Sequence, residues 1–293
     1  MVDISRRSLI EQGCKFSLFL TAASMGHAEL ANAQAPVVIK KVLKVGVANE
    51  LPYSFLDTQG VLSGQSVEVL EAAFANSSVD RMDGVLTEFA ALIPGLIARR
   101  FDVVCTGMFI RPARCAQIAF GHIDSMGRIG MIVPTDNPKK LTGFEDFRKN
   151  SDLRLAFIRG SIVDGYARAQ KVPESQWVIL PDFTTLLAAI KGGRADAAMG
   201  GYIILSSTLQ KVNDPGLQMA PDFVQIEVNG RPAIDYAAMG FHKDDNVLRE
   251  TYNKGLDELI QSGRLIEINK KWGIPSALTA TADTPKPEEV CRG

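Results

Sequence analysis

The chain has 293 residues, 32 Lys and Arg against 33 Asp and Glu, and a formal net charge of −1 at pH 7. Near-cancelled charge argues against a nucleic-acid-binding protein, and 46% hydrophobic with 22% charged residues is the balance of an ordinary globular chain of one large domain or two linked lobes. No unbroken apolar run of about 18 residues occurs, which excludes a bundle of spanning helices, and 3 histidines with 4 scattered cysteines make a poor zinc ligand set.

Residues 1–35 read as an export leader. Arg6 and Arg7 give a positive start, 16–25 is mostly apolar, and Ala31-Asn32-Ala33 and Ala33-Gln34-Ala35 have the small-residue spacing of a cleavage site. Ser5-Arg6-Arg7-Ser8-Leu9-Ile10 carries the adjacent arginines of a twin-arginine signal, but Glu11 stands where a basic residue is common, so the Tat and Sec routes both stay open. Cys14 precedes the apolar stretch instead of ending it, so no lipid anchor is expected. The mature chain then holds Cys105, Cys115 and Cys291, an odd set that allows at most one internal pair. Cys105 and Cys115 are read as two buried thiols.

A strand is predicted at 42–48, then a helix at 66–74 with Val67, Leu70, Ala73 and Phe74 at helical spacing. A strand at 84–86 follows, then a helix at 91–99 with Pro94 in its first turn, then a strand at 101–105. This β/α alternation argues for a mostly parallel sheet covered by helices. After the apolar stretch 130–133 and a loop at 134–138 the pattern restarts. Strands are expected at 153–158, 177–180 and 195–199, and helices at 161–169 (capped by Ser161), 184–190 and 202–209. A strand at 236–241 and two amphipathic helices, the first carrying Leu248, Tyr252 and Leu256 and the second ending at Gly273 and Pro275, close the pattern. The tail 276–293 has little to bury and is expected to be disordered or loosely docked. Two α/β lobes joined by extended crossings would bind a small molecule between them, at the carboxyl ends of the strands.

Several motifs occur in a telling order: Leu43-Lys44-Val45-Gly46-Val47, Pro52-Tyr53-Ser54-Phe55, Leu92-Ile93-Pro94-Gly95-Leu96, Arg100-Phe101-Asp102 and Gly107-Met108-Phe109-Ile110-Arg111-Pro112-Ala113-Arg114. Gly192-Gly193-Arg194-Ala195-Asp196-Ala197, Gly263-Arg264-Leu265 and Lys271-Trp272-Gly273 follow. With them the chain resembles the extracytoplasmic solute-binding proteins of the polar amino-acid type (family 3), the receptor components of ABC importers, over roughly residues 42–274. The resemblance implies a two-lobed α/β periplasmic binding protein fold of type II, with lobe 1 built from 36–132 and 233–275 and lobe 2 from 133–232. It also implies a non-enzymatic monomer in the periplasm, without cofactor, that closes over a small solute and hands it to an inner-membrane permease.

Arg114 is, by that resemblance, the clamp for a ligand carboxylate, a role that suits a planar guanidinium fork. Gly160-Ser161 matches the second-lobe position where N–H groups at a helix start approach the same carboxylate, and a plain helix cap is equally compatible. Two departures stand out. Phe109 replaces a usual hydroxyl residue, and Gly201 stands where an Asp usually pairs with a ligand ammonium. An ammonium buried without a carboxylate is costly, so an ordinary amino acid is disfavoured. Tyr53, Phe89 and Phe109 follow three successive strands and suit a delocalised or quaternary cation, with Glu50 adding one carboxylate. The set Glu50, Tyr53, Phe89, Phe109 and Arg114 is similar to the site of the ectoine/hydroxyectoine-binding receptors. Betaines, proline-like solutes and an unusually bound cationic amino acid remain open, as does a polar amino-acid receptor. A cyclohexadienyl-dehydratase-like enzyme is weaker, because no positioned acid–base pair accompanies Glu50. A sensor or lytic-enzyme module is disfavoured because only a short tail follows the binding unit.

Overall fold

Leu43, Val45 and Val47 alternate along the strand Val42–Val47, and all three are buried while Val42 and Lys44 stay exposed. That period of two directs one face into the core and makes this strand the organiser of the first sheet. The structure, a computed structural model, describes residues 39–292 except Asn229. The expected leader and Cys14 lie outside the described residues.

Two five-stranded sheets form the two lobes. In the first, Val42–Val47 lies parallel between Arg81–Leu86 and Val103–Val104. Asp235–Phe241 then runs antiparallel to both Val103–Val104 and Ala119–Gly127. In the second, Ala197–Gly201 pairs parallel with Leu155–Ile158, which pairs parallel with Trp177–Leu180. Ile129–Pro134 joins antiparallel to Ala197–Gly201 and to Leu217–Met219. Each sheet is therefore parallel on one side and antiparallel on the other, where sequence periodicity suggested a mostly parallel first sheet.

The chain leaves the first sheet after Gly127 and enters the second at Ile129, earlier than the expected division after 132. Both flanking strands are largely buried, and a single exposed residue, Arg128, marks the step, too short a break to read as a boundary. Asp235 pairs with Gly127, which sets the returning strand beside the point where the chain departs.

The expected helices form, and Pro112–Cys115, Phe144–Lys149 and Pro287–Arg292 add three that were not expected. Gln65–Ala73, Leu92–Ile97 and Asn246–Gln261 cover the first sheet, and their Leu70, Leu92, Leu96, Tyr252 and Leu256 pack with Phe101 and Phe241. In the second lobe Ile162–Ala169 and Phe183–Lys191 begin at side-chain caps. Ser161 Oγ accepts from the Val163 N–H and Asp182 Oδ1 from the Thr185 N–H. The sequence reading passed over Ala119–Gly127 entirely, because its His122 and Asp124 interrupt the hydrophobic alternation.

The tail is ordered, contrary to expectation. Thr279 and Ala280 are buried, Thr279 bridges to Ser125, and the Ala280 N–H donates to the Asp124 carbonyl at 3.2 Å. The Asn269 amide donates to Thr279 Oγ1 at 3.0 Å and accepts from Gln65 Nε2 at 2.7 Å, which links the tail to two helices. The last helix, Pro287–Arg292, carries Cys291 into a disulfide with Cys115. Cys115 is therefore not the buried thiol that the sequence suggested, since a partner 176 residues away leaves no local pattern. Cys105 is a buried thiol as expected, and burial raises its pKa well above the usual value, which keeps it unreactive.

Asp124 is the buried acid of this core. Ser125 Oγ donates to its Oδ1 at 2.7 Å, and neither its Oδ2 nor the Tyr252 hydroxyl has a hydrogen-bond partner among the described residues. Burial pushes its pKa up to about 7. A carboxyl whose folded value exceeds its unfolded value contributes stability below the unfolded pKa, and that contribution is lost as pH rises through about 7. Asp124→Asn is therefore expected to gain on the wild-type chain between pH 4 and 8, by roughly 2–4 kcal/mol in urea unfolding. A stability difference that stays constant over this range would remove Asp124 from the account.

Candidate functional site

Helix starts and strand ends of both lobes converge on one slot. From the first lobe come Glu50 after Val42–Val47, Phe89 after Arg81–Leu86, Gly107 and Phe109 after Val103–Val104, and Arg114 on Pro112–Cys115. From the second come Ile158, Ser161, Ile162, Phe183, Met199 and the Gly200-Gly201 pair, with Ile204 behind them. The walls are close, and the space between them is narrow and partly continuous with solvent.

Arg114 crosses the slot. Its Nη1 donates to the Phe109 carbonyl at 2.6 Å and its Nη2 to the Gly160 carbonyl at 2.9 Å, so one guanidinium ties the two lobes together. The Phe89 ring faces it, with 5.3 Å between the guanidinium carbon and the ring centroid. Burial and the neighbouring Arg111 charge lower its pKa to about 10, against the pull of Glu50 and Asp235. It is still a cation at neutral pH. Glu50 is buried and accepts a hydrogen bond from Thr106 Oγ1. Burial raises its pKa to about 7, although the Thr106 hydroxyl and the Arg114 charge both favour the anion. The first-lobe wall thus offers one cation and one carboxyl at the edge of ionisation. The second-lobe wall offers no ionisable side chain.

Phe109 is held in place by main-chain pairing. It bridges to Ala237, and the Ile110 N–H donates to the Tyr236 carbonyl at 2.8 Å. Its ring packs into the second-lobe core with Ile129 and Met131. A Cβ on Gly127 would sit 2.5 Å from that ring, so the glycine makes room for it, whereas a Cβ on Gly201 would meet it at an ordinary 3.7 Å. Phe109 and Ile204 therefore flank the position where a second-lobe acid was expected and not found.

Of the residues singled out in the sequence, Glu50, Phe89, Phe109, Arg114 and Ser161 line the slot. Tyr53 does not. Its buried ring lies behind Gly107, where a Cβ would approach within 2.7 Å, and it packs with Ile203, Ile204 and Ile274. The Gly160 carbonyl accepts from Arg114 Nη2, and Ser161 acts as the helix cap. Sequence reasoning missed Thr106 and Phe183. Both follow a strand directly or after a short turn, the same signal that singled out Phe89. It also missed a second link between the lobes: Arg111 pairs with the buried Asp235 and donates to the Tyr166 hydroxyl at 2.9 Å, which in turn donates to Asp235 at 2.7 Å.

Residues 43–275 match the pattern of the bacterial extracellular solute-binding proteins, family 3. The chain is 28% identical over 281 residues to the probable amino-acid ABC transporter periplasmic-binding protein y4tE of Sinorhizobium fredii, spanning 94% of this chain and 90% of that relative. It is 24% identical over 265 residues to the lysine/arginine/ornithine-binding periplasmic protein of Escherichia coli, spanning 88% and 96%. Among solved structures it is similar to EhuB in complex with hydroxyectoine, with a TM-score of 0.77 and 25% identity over 86% of this chain and 94% of that one.

The packing around Phe109 can be tested directly. Gly127→Ala is expected to cost about 1–3 kcal/mol through overpacking, while Gly201→Ala leaves the melting temperature nearly unchanged. Thermal unfolding of the two variants side by side checks this, and equal melting temperatures would contradict the geometry.

Proposed function

We propose a function from this premise: the chain belongs to the bacterial extracellular solute-binding proteins, family 3, and is the substrate-binding component of an ABC importer. Its solute, in our reading, is a compact zwitterion of the ectoine or hydroxyectoine type. The observation that carries this is the division of charge in the slot. Glu50 and Arg114 stand on the first lobe, and the facing wall of Ile158, Ile162, Phe183, Met199 and Ile204 is apolar. A primary ammonium held against that wall would lose its water without gaining a carboxylate. A ring with delocalised positive charge needs no such partner and packs against Phe89, Phe109 and Phe183. EhuB, a structural neighbour, was solved with hydroxyectoine.

In this reading Arg114 donates to the solute carboxylate. A guanidinium has five N–H donors, and the two main-chain carbonyls use only two of them. Glu50 accepts from the N–H of the amidinium, and the aromatic rings exclude water. The solute contacts both lobes, so it raises the population of the closed form, which the permease recognises. The protein acts as a monomer, and residues 1–35 direct it to the periplasm. A second reading, a receptor for a polar amino acid, is favoured by the names of y4tE and of the lysine/arginine/ornithine-binding relative.

Titration calorimetry of the mature, ligand-stripped protein with ectoine, hydroxyectoine, glycine betaine, proline, arginine and glutamine separates the two. Saturation by ectoines alone is the expected result, and Arg114→Ala is expected to abolish it. Phe109→Thr is expected to weaken ectoine more than Phe109→Tyr does. Silence toward ectoines with binding of an amino acid would overturn the ectoine reading.

The pH dependence has a definite sign. Glu50 with a pKa of about 7 must lose its proton to meet a cationic ring. Affinity is therefore expected to fall about tenfold from pH 8 to pH 6, with proton release on binding, and Glu50→Gln is expected to flatten the profile. A wild-type affinity independent of pH would remove Glu50 from contact with the solute.

A further inference from the structure

The helix that carries Arg114 is a single turn, Pro112–Cys115. Its main-chain support is local: the Arg114 and Cys115 N–H groups donate to the Arg111 carbonyl, the Ala116 N–H to the Pro112 carbonyl, and the Gln117 and Ile118 N–H groups to the Arg114 carbonyl, at 2.9–3.0 Å. One turn fixes several dihedral angles for very few hydrogen bonds and does not hold by itself. The aim of the Arg114 side chain therefore depends on what anchors the turn from outside.

At the amino end the anchor is Arg111, paired with Asp235 and bonded to Tyr166. At the carboxyl end it is a covalent bond. Cys115, the residue after Arg114, is joined to Cys291 on the last helix. The segment between residue 276 and that helix is itself fixed to the first lobe, through the Thr279–Ser125 bridge, the Asn269 amide on Thr279 and the Ala280 N–H on the Asp124 carbonyl. A continuous mechanical path thus runs from the strand Ala119–Gly127 through the tail to the turn that bears Arg114. None of residues 276–292 lines the slot.

We propose that the C-terminal tail is a positioning element for Arg114, acting through the Cys115–Cys291 bond, so that residues remote from the slot set how well it grips a carboxylate. This rests on the reading of Arg114 as the carboxylate clamp. The bond limits the travel of the turn, and the guanidinium is held where its remaining donors face into the slot. With the bond cut, the turn keeps its Arg111 anchor, the Lys243 Nζ donated to the Ala116 carbonyl and the buried Ile118 that follows it, but loses its one covalent tie to the tail and gains freedom to shift. The cost then falls on the solute carboxylate, while contacts made by Glu50 and the aromatic rings are spared.

The test uses the full mature chain with Cys291→Ser and, to avoid a stray thiol, the double variant Cys115→Ser/Cys291→Ser. Two readouts are compared with wild type. The first needs no ligand: hydrogen exchange at the amides of Ala116, Gln117 and Ile118 is expected to quicken at least about tenfold, with the strand Val42–Val47 unchanged. The second is calorimetric affinity for ectoine and for its carboxamide. The variants are expected to lose at least about tenfold for ectoine and to keep the wild-type affinity for the carboxamide. Unchanged exchange in both variants would overturn the proposal, and so would equal losses for the two ligands, which would mark the tail as a general stabiliser of the lobe. If wild type ignores ectoine while exchange at the turn quickens in the variants, the reading of the slot fails and the anchoring of the turn by the tail stands.

Discussion

One buried guanidinium organises the space between the lobes. Arg114 is deprived of most of its water and compensated by a carbonyl from each side, Phe109 and Gly160. A charge in that position cannot be left without partners, because an unpaired buried ion costs several kcal/mol. The closed arrangement of the lobes and the orientation of Arg114 are therefore one constraint seen from two sides. Glu50 belongs to the same balance. It lies near enough to favour the Arg114 cation, yet its own burial holds it at the edge of protonation, about pH 7.

The rest of the slot follows from strand geometry. In each sheet the parallel strands end toward the gap, so the turns and helix starts that follow them form its walls. Small residues then decide what those walls present. Gly127 admits the Phe109 ring, Gly107 lies over Tyr53, and Gly201 leaves an apolar surface where an acid would have given the second-lobe wall a negative charge. The result is a polar side and an apolar side facing each other across a narrow space. That asymmetry is the physical basis for preferring a ring-shaped zwitterion to a solute with a localised ammonium.

The first lobe is also closed by its own tail. Asn269 links Gln65 to Thr279, and Cys291 reaches Cys115, so the last residues bind together helices that begin some two hundred residues earlier in the chain. The same lobe tolerates an acid, Asp124, beneath the tail, where burial keeps it protonated up to about pH 7. Stability and the aim of the binding arginine therefore share parts of one scaffold.

The alternation of strands and helices was legible in the sequence, because hydrophobic periodicity is a local property; Glu50, Phe89 and Phe109 stood out by their places after predicted strands, and Arg114 by the motif in which it sits. The sequence did not reveal the buried strand Ala119–Gly127, whose His122 and Asp124 mask its alternation, nor the step between sheets at Arg128, which one exposed residue is too short to announce. Tyr53 had the right place in the chain and the wrong depth, since only packing against Gly107 and Ile274 puts its ring behind the wall. Tertiary structure alone decided the Cys115–Cys291 pair, the Arg111–Asp235–Tyr166 link and the carbonyl of Gly160 on Arg114. Each joins residues from distant parts of the chain or turns on the direction of a single peptide group, and neither property is written in the order of residue types.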